Sequence, residues 1–310
     1  MHVRSTATGL EVLAPAKLNL FLEVLGKRDD GFHEIETLMA PIGLYDTLYF
    51  QNDPSGRIQL ACESVDPQRS ADLGEPLPET ILPETILPEG PQNIVFRAID
   101  LIRRRCQIAS GAQVRLVKRI PMAAGLAGGS SDAAAALVAA NRVWGLNLPA
   151  SELAPLAAEL GSDVPFFLEP GAAICRGRGE RIERVAGLGS LSFVVVKPPA
   201  GLSTAAVYRA CRPPERAKSA APLVAALRAG RLHEAVGWFH NALQAAAEQL
   251  SPWIARLAHE FTRLDFLGHR MSGSGTSYFG LARHFRHARR LAACLQTRGL
   301  GRVYVVRGTC

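Results

Sequence analysis

Between a run that alternates like a strand, AQVRLVKRI at 112–120, and a run that reads as a helix from about 130 to 145, the chain carries IPMAAGLAGGSSDAA at 120–134. No side chain from Ala123 to Ser131 is larger than a leucine, so the backbone of this bend can approach a ligand closely. The first N–H groups of a helix lack intrahelical partners and sit at the positive end of its dipole, where they attract an anion. Ser130 and Ser131 add hydroxyl donors. Together these features describe a phosphate cradle. The same residue types also serve as caps and close-packing turns, so the bend alone leaves both readings open. Two familiar phosphate loops do not fit. No lysine follows the glycines as in GxxxxGK[ST], and Gly125, Gly128 and Gly129 run G-x-x-G-G rather than G-x-G-x-x-G.

The flanking sequence alternates strands and helices. VLAPAKLNLFLEVL at 12–25 reads as a strand with Ala16, Leu18, Leu20, Leu22 and Val24 on one face. Lys17 and Asn19 then share the other face, about 6.5–7 Å apart at strand rise. GKRDDG at 26–31 carries turn chemistry, and FHEIETLMAPIGLYDTLYF continues as short strands. Asn93 opens a helix pattern. Leu137, Val138 and Trp144 fall on one side of the next helix. Residues 151–161 read as another helix, with Gly161 placed to stop it. Pro165 is expected to impose an extended path on the residue before it, which leaves Asp163 on a tight loop. LSFVVVKPP at 191–199 is a buried strand, the stretch to about 265 is Ala-rich helix, and 271–281 returns to strand and turn. A helix near 284–298 and the strand RVYVVRG close the pattern. The fold class is α/β (α+β).

Residues 66–92 differ. ETILP occurs twice in tandem at 79–88, and proline every few residues excludes a helix or a central strand. This segment reads as a surface insertion. The 310 residues, with a net charge of +7, suit a globular chain of one or two domains. Only Arg103–Arg105 forms a tight basic run, and without interleaved aromatics it reads as a solvated helix face, not a nucleic-acid site. The six cysteines form no CxxC pair and no zinc spacing. They suit free thiols in a reducing cytoplasm, and no stretch is long enough for a membrane span. His284 and His287 lie i, i+3 but lack a third ligand, so no side chain is assigned to a metal.

The bend P-x-x-x-G-L-x-G-G-S-S-D-A-A resembles the second motif of the GHMP kinases, the group that includes galactokinase, homoserine kinase and mevalonate kinase. The double serine followed by D-A-A most resembles the methylerythritol branch, with Ala124 and Ala127 standing where glycine is common. PAKLNLFLEVLGKRDDGFHEIETLM (15–39), GSDVPFFL (161–168), GRGERI (177–182), KPPAGLSTAAVY (197–208) and MSGSGTSYFG (271–280) match the same group in type and order. The insertion at 66–92 interrupts none of them.

The resemblance implies a two-domain GHMP fold with its active site in an interdomain cleft. Residues 1–170 would form the N-terminal domain and 171–310 the C-terminal one. It implies γ-phosphoryl transfer from ATP, with Mg2+ arriving on the nucleotide. The acceptor would be the 2-hydroxyl of a small molecule, 4-diphosphocytidyl-2-C-methyl-D-erythritol. Asp163 would be the catalytic base and Lys17 the cation beside the reacting hydroxyl. Asn19, Phe32, His33, Thr204 and Tyr208 would bind the acceptor, Phe32 and His33 at its cytosine. Asn93, Lys118 and the bend Pro121, Met122, Ala123, Ala124, Gly125, Leu126, Ala127, Gly128, Gly129, Ser130 and Ser131 would bind ATP. A monomer or a homodimer is compatible with this reading. The alternatives are a GHMP kinase for another alcohol and a non-catalytic sensor on the same fold.

Overall fold

The computed structural model describes residues 1–65 and 90–308, so all but the last three residues of the proline-rich segment 66–92 lie outside the described residues. The chain groups into two compact units. The first comprises Met1–Pro15, Leu44–Ile120 and Gly128–Glu169; the second comprises Ala16–Gly43, Pro121–Ala127 and Pro170–Cys310. The units are therefore not consecutive halves of the chain. Two long strands, β2 (Leu10–Lys27) and β3 (His33–Asp53), and the bend after Ile120 each contribute residues to both.

In the first unit, β1 (His2–Ser5) pairs antiparallel with the start of β2. The end of β3 pairs antiparallel with β5 (Gly111–Lys118), and β5 pairs in parallel with β4 (Ile58–Ser64). Helix α1 (Ile94–Arg105) starts where the Asn93 side chain accepts the Val95 N–H at 2.9 Å. Val95, Ala98, Ile99 and Ile102 recur at helical spacing and are buried. Arg103–Arg105 occupy the last turn, where the dipole favours cations. Arg104 and Arg105 are exposed, as a solvated basic face requires. Helix α2 (Gly128–Val143) has no exposed stripe over its central turns. Ser131 through Leu137 are all buried, because alanine lets neighbours pack close on every side. Helix α3 (Ala150–Leu160) ends at Gly161.

In the second unit the start of β3 pairs antiparallel with β6 (Ala172–Gly177), which forms a hairpin with β7 (Arg181–Val185). A four-stranded antiparallel sheet runs in the order β10 (Gly268–Met271), β11 (Tyr278–Ala282), β8 (Ser192–Lys197), β12 (Arg302–Arg307). The two-residue strand β9 (His240–Asn241) lies parallel to Phe21–Leu22 of β2. The helices are α4 (Thr204–Ala210), α5 (Ala221–Arg228), α6 (Leu232–Ala235), α7 (Gln244–Leu250), α8 (Pro252–Thr262) and α9 (Phe285–Gln296). Val194, Val196, Leu257, Phe261, Met271, Tyr278 and Leu291 share one core with Leu22, Val24 and Ile35.

Two local expectations change. Residues 33–53 form one continuous strand rather than several short ones. Val164, before Pro165, is helical at φ −62°, ψ −44° rather than extended, because Pro165 opens a short 3-10 helix over Pro165–Leu168.

Candidate active site

The bend is held in two ways. At its ends, in the first unit, the fixing groups are charged. Lys118, the last residue of β5, donates to Asp132 Oδ2 at 2.5 Å and to Asp46 Oδ2, and all three side chains are buried. Asp46 Oδ1 accepts the N–H groups of Arg119 at 2.5 Å and of Ile120 at 2.9 Å. Burial opposes the Lys118 ammonium, but the two carboxylates outweigh it and raise its pKa. Burial pushes the Asp132 carboxyl up to about 7, against the pull of Lys118 and with the repulsion of Asp46. At Gly128, the first residue of α2, a Cβ would stand 2.9 Å from the Ile120 side chain and 3.1 Å from Lys118 Nζ, so only glycine fits without displacement. One turn into α2, Ser131 Oγ and Asp132 Oδ1 are buried oxygens with no hydrogen-bond partner among the described residues. Gly129 is exposed and Ser130 half-buried beside them.

The middle of the bend belongs to the second unit, where the fixing groups are backbone, small side chains and one ammonium, that of Lys17. Ser277 N–H donates to Ala124 O at 3.1 Å, and Ser272 Oγ donates to Gly125 O at 3.1 Å. Lys17 Nζ donates to the same Gly125 oxygen at 3.1 Å and to Asn19 Oδ1 at 2.6 Å. Leu126 O accepts the Lys17 N–H. A Cβ on Gly125, whose φ is +71°, would lie 2.1 Å from Ser272 O. Ala123 and Ala127 take φ of +47° and +55°, the left-handed region that alanine enters at a cost. Ala124, the other alanine at a glycine-like position, is not among these strained residues. Pro121 and Leu126 complete the turn, and the Met122 side chain is exposed.

Lys17 and Asn19 share one strand face as the alternation predicts, and both are buried. Asn19 Nδ2 donates to Thr37 Oγ1 at 2.8 Å, Thr37 Oγ1 donates to Phe21 O at 2.5 Å, and the Asn19 N–H donates to Ser272 Oγ at 3.3 Å. The turn after Ser272 is fixed from below by Asn241, whose Nδ2 donates to Met271 O and Gly273 O, both at 2.8 Å. Thr204 and Ser274 hydroxyls are 2.9 Å apart.

Of the predicted acceptor residues, His33 and Tyr208 meet. The His33 and Tyr208 rings lie 5.1 Å apart and tilted by 36°. Burial, then the charge of Lys27, lowers the His33 pKa and favours the neutral ring. Phe32 is 48 % exposed, and the Arg178 guanidinium covers one face of its ring at 4.7 Å. Asp163, in the first unit, is half-buried on the turn between α3 and the Pro165 helix, where the Val164 N–H closes onto Gly161 O at 3.3 Å. Asn93 is buried and caps α1, with its amide 3.5 Å from Cys62 Sγ. His284 caps α9, accepting the His287 N–H at 3.1 Å, and no group of three metal-ligating side chains occurs among the described residues.

Asp46, Asp132, Thr37 and Asn241 were not singled out from sequence. Asp46 carried a signal, an acidic residue inside the apolar run GLYDTLYF, and Asp132 one as the acidic residue of the S-S-D-A-A motif; Thr37 and Asn241 carried none.

A mixed α/β fold with a glycine-serine bend opening a buried helix suits a protein that binds phosphate groups. The chain belongs to the GHMP kinase family: residues 93–171 match the GHMP kinases N terminal domain, and 220–300 match GHMP kinases C terminal. It is 42% identical over 287 residues to 4-diphosphocytidyl-2-C-methyl-D-erythritol kinase of Pelotomaculum thermopropionicum, covering 92% of this chain and 93% of that one. It is 37% identical over 313 residues to the kinase of the same name in Synechococcus sp. CC9605, covering 94% of each. A crystal structure of 4-(cytidine 5'-diphospho)-2C-methyl-D-erythritol kinase superposes with a TM-score of 0.75 at 34% identity, over 97% of this chain and all of that one. Homoserine kinase from Cytophaga hutchinsonii shares the fold at a TM-score of 0.72 and 18% identity.

Proposed function

We propose that this chain transfers the γ-phosphoryl group of ATP to the 2-hydroxyl of 4-diphosphocytidyl-2-C-methyl-D-erythritol, a step in making isoprenoid precursors without mevalonate. Near-full-length identity of 42% to a kinase of that name carries the reading. The His33–Tyr208 ring pair supports it, since two aromatic planes beside an exposed Phe32 suit a pyrimidine better than a plain alcohol.

In this reading the small-residue bend from Pro121 to Ser131 and the first turn of α2 receive the ATP phosphates. A bond forms between the acceptor oxygen and the γ-phosphorus, the bond to the β-γ bridging oxygen breaks, and ADP leaves. The acceptor proton passes to Asp163, which orients the hydroxyl beforehand. Lys17, fixed on Asn19 and the Gly125 carbonyl, supplies positive charge to the transferred group. Asn19 and Thr204 meet the acceptor's polar groups; Asn93 and Lys118 support the nucleotide side. Bound Mg2+ arriving with ATP would supply charge neutralisation at the phosphates. Unpartnered oxygens on Ser131 and Asp132 are hard donors of the kind it takes, so Ser131 would help to hold it. We place the enzyme in the cytoplasm, as the cysteine spacing, with no CxxC pair among six cysteines, suits a reducing compartment. No described helix is long and apolar enough to cross a membrane.

An ADP-release assay with the cytidyl substrate against homoserine, mevalonate and other small alcohols tests the substrate. Turnover is expected with the cytidyl compound alone, and activity confined to another alcohol overturns the assignment. Asp163→Asn is expected to abolish turnover while ATP still binds; an active variant removes Asp163 from its role.

A further inference from the structure

Asp46 carries a fully buried carboxylate. It is 0% exposed on β3, and its two oxygens are divided between two tasks. Oδ1 takes the N–H groups of Arg119 and Ile120, the residues that lead out of β5 into the bend. Oδ2 takes Lys118 Nζ, which reaches onward to Asp132 in the first turn of α2. Lys118 Nζ and the Ile120 side chain also press against Gly128, where α2 begins. One carboxylate thus ties down the entry of the bend directly and its exit through Lys118. A buried carboxylate costs several kcal/mol unless fully bonded, so this arrangement has little freedom to relax. Helix-start N–H groups bind phosphate only while they point at one spot, which both ends of the bend must define.

We propose that Asp46 is a positioning residue for ATP: it sets the distance and direction between the end of β5 and the head of α2, and so the aim of the phosphate-binding N–H groups. This rests on reading residues 121–131 as the nucleotide site. Its effect is expected on nucleotide binding, because the Asp46 oxygens bond Lys118, Arg119 and Ile120, which lead into the bend, and not the predicted acceptor residues Asn19, Phe32, His33, Thr204 and Tyr208.

Asp46→Asn keeps the shape but removes the charge that holds Lys118. Wild type, Asp46→Asn and Leu48→Ala are compared by ATP titration calorimetry and by steady-state kinetics. Leu48 is buried on the same strand, so its truncation reports what general destabilisation does. The expected result is an ATP Kd and KM raised about tenfold or more in Asp46→Asn, with the acceptor KM within about twofold of wild type. Leu48→Ala is expected to lower the melting temperature and leave both KM values in place. An unchanged ATP Kd in Asp46→Asn, equal rises in both KM values, or the same ATP defect in Leu48→Ala each overturns the proposal. Should Asp46→Asn not fold, Asp46→Glu, which keeps the charge but moves the acceptor oxygens by one methylene, is read by the same criteria. A wild type that binds no ATP refutes the nucleotide site itself rather than the role of Asp46.

Discussion

The ends of the bend and its middle are held by different physics. At the ends, an ammonium lies between two buried carboxylates, and one of these also gathers two backbone N–H groups. In the middle, carbonyls accept hydrogen bonds from hydroxyl, amide and the one ammonium of Lys17, and Gly125 packs tightly against Ser272. Ionic anchoring between buried charges fails when a charge is removed and tolerates small changes of shape. Close packing around Gly125 fails when volume is added. The comparison therefore assigns each segment its own kind of sensitive substitution.

Gly125→Ala should do the most damage. Its Cβ would overlap the Ser272 carbonyl at 2.1 Å in a backbone conformation at φ +71°. The bend or the 272–277 turn must move by about an ångström, which is expected to lower kcat/KM by roughly 100-fold or more in the ADP-release assay. Lys118→Met comes next. It leaves Asp46 and Asp132 buried without their cation and is expected to cost about 3–5 kcal/mol in urea unfolding. A loss below about 1 kcal/mol would mean that the ends are not ionically fixed.

Asn241→Ala probes the neutral side. It strips the donor from two buried carbonyls and the acceptor from the Leu243 N–H, for an expected loss of about 2 kcal/mol. A smaller effect comes from pH. Burial, then Arg270, pushes His269 down to about 4 from an ordinary 6.5, beside the Tyr278 hydroxyl at 3.0 Å. The unfolded chain takes up this proton first, so stability is whole above pH 6.5 and drains away as pH falls toward 4. The melting temperature of His269→Gln should fall less steeply across that window. Ala127→Gly should change least: relief of the left-handed alanine at φ +55° is offset by a more flexible unfolded chain, leaving a gain under about 1 kcal/mol.

What the sequence disclosed follows the range of the interactions. β2, β5, β8 and β12 were legible because alternation or an unbroken apolar run is a local pattern, and α1 because Asn93 precedes a helical repeat. Strand β6 against β3 and the two-residue β9 against β2 were not, since those partners lie far away in the chain. The single-face reading of α2 also missed its burial, because alanine carries almost no amphipathic signal. The bend and its serines announced themselves. The Asp46–Lys118 clamp did not, because its members are 72 residues apart. Of the two alanines standing at glycine positions, Ala124 and Ala127, only Ala127 takes the left-handed conformation; the second left-handed alanine of the bend is Ala123.

The alanine-walled α2 has one more implication, for how this enzyme can change. With Ser131 through Leu137 enclosed on all sides, any larger side chain there must displace a neighbour. An inhibitor anchored on the backbone at the head of that rod would meet few escape routes by point substitution, because the floor beneath it has no spare room to reshape.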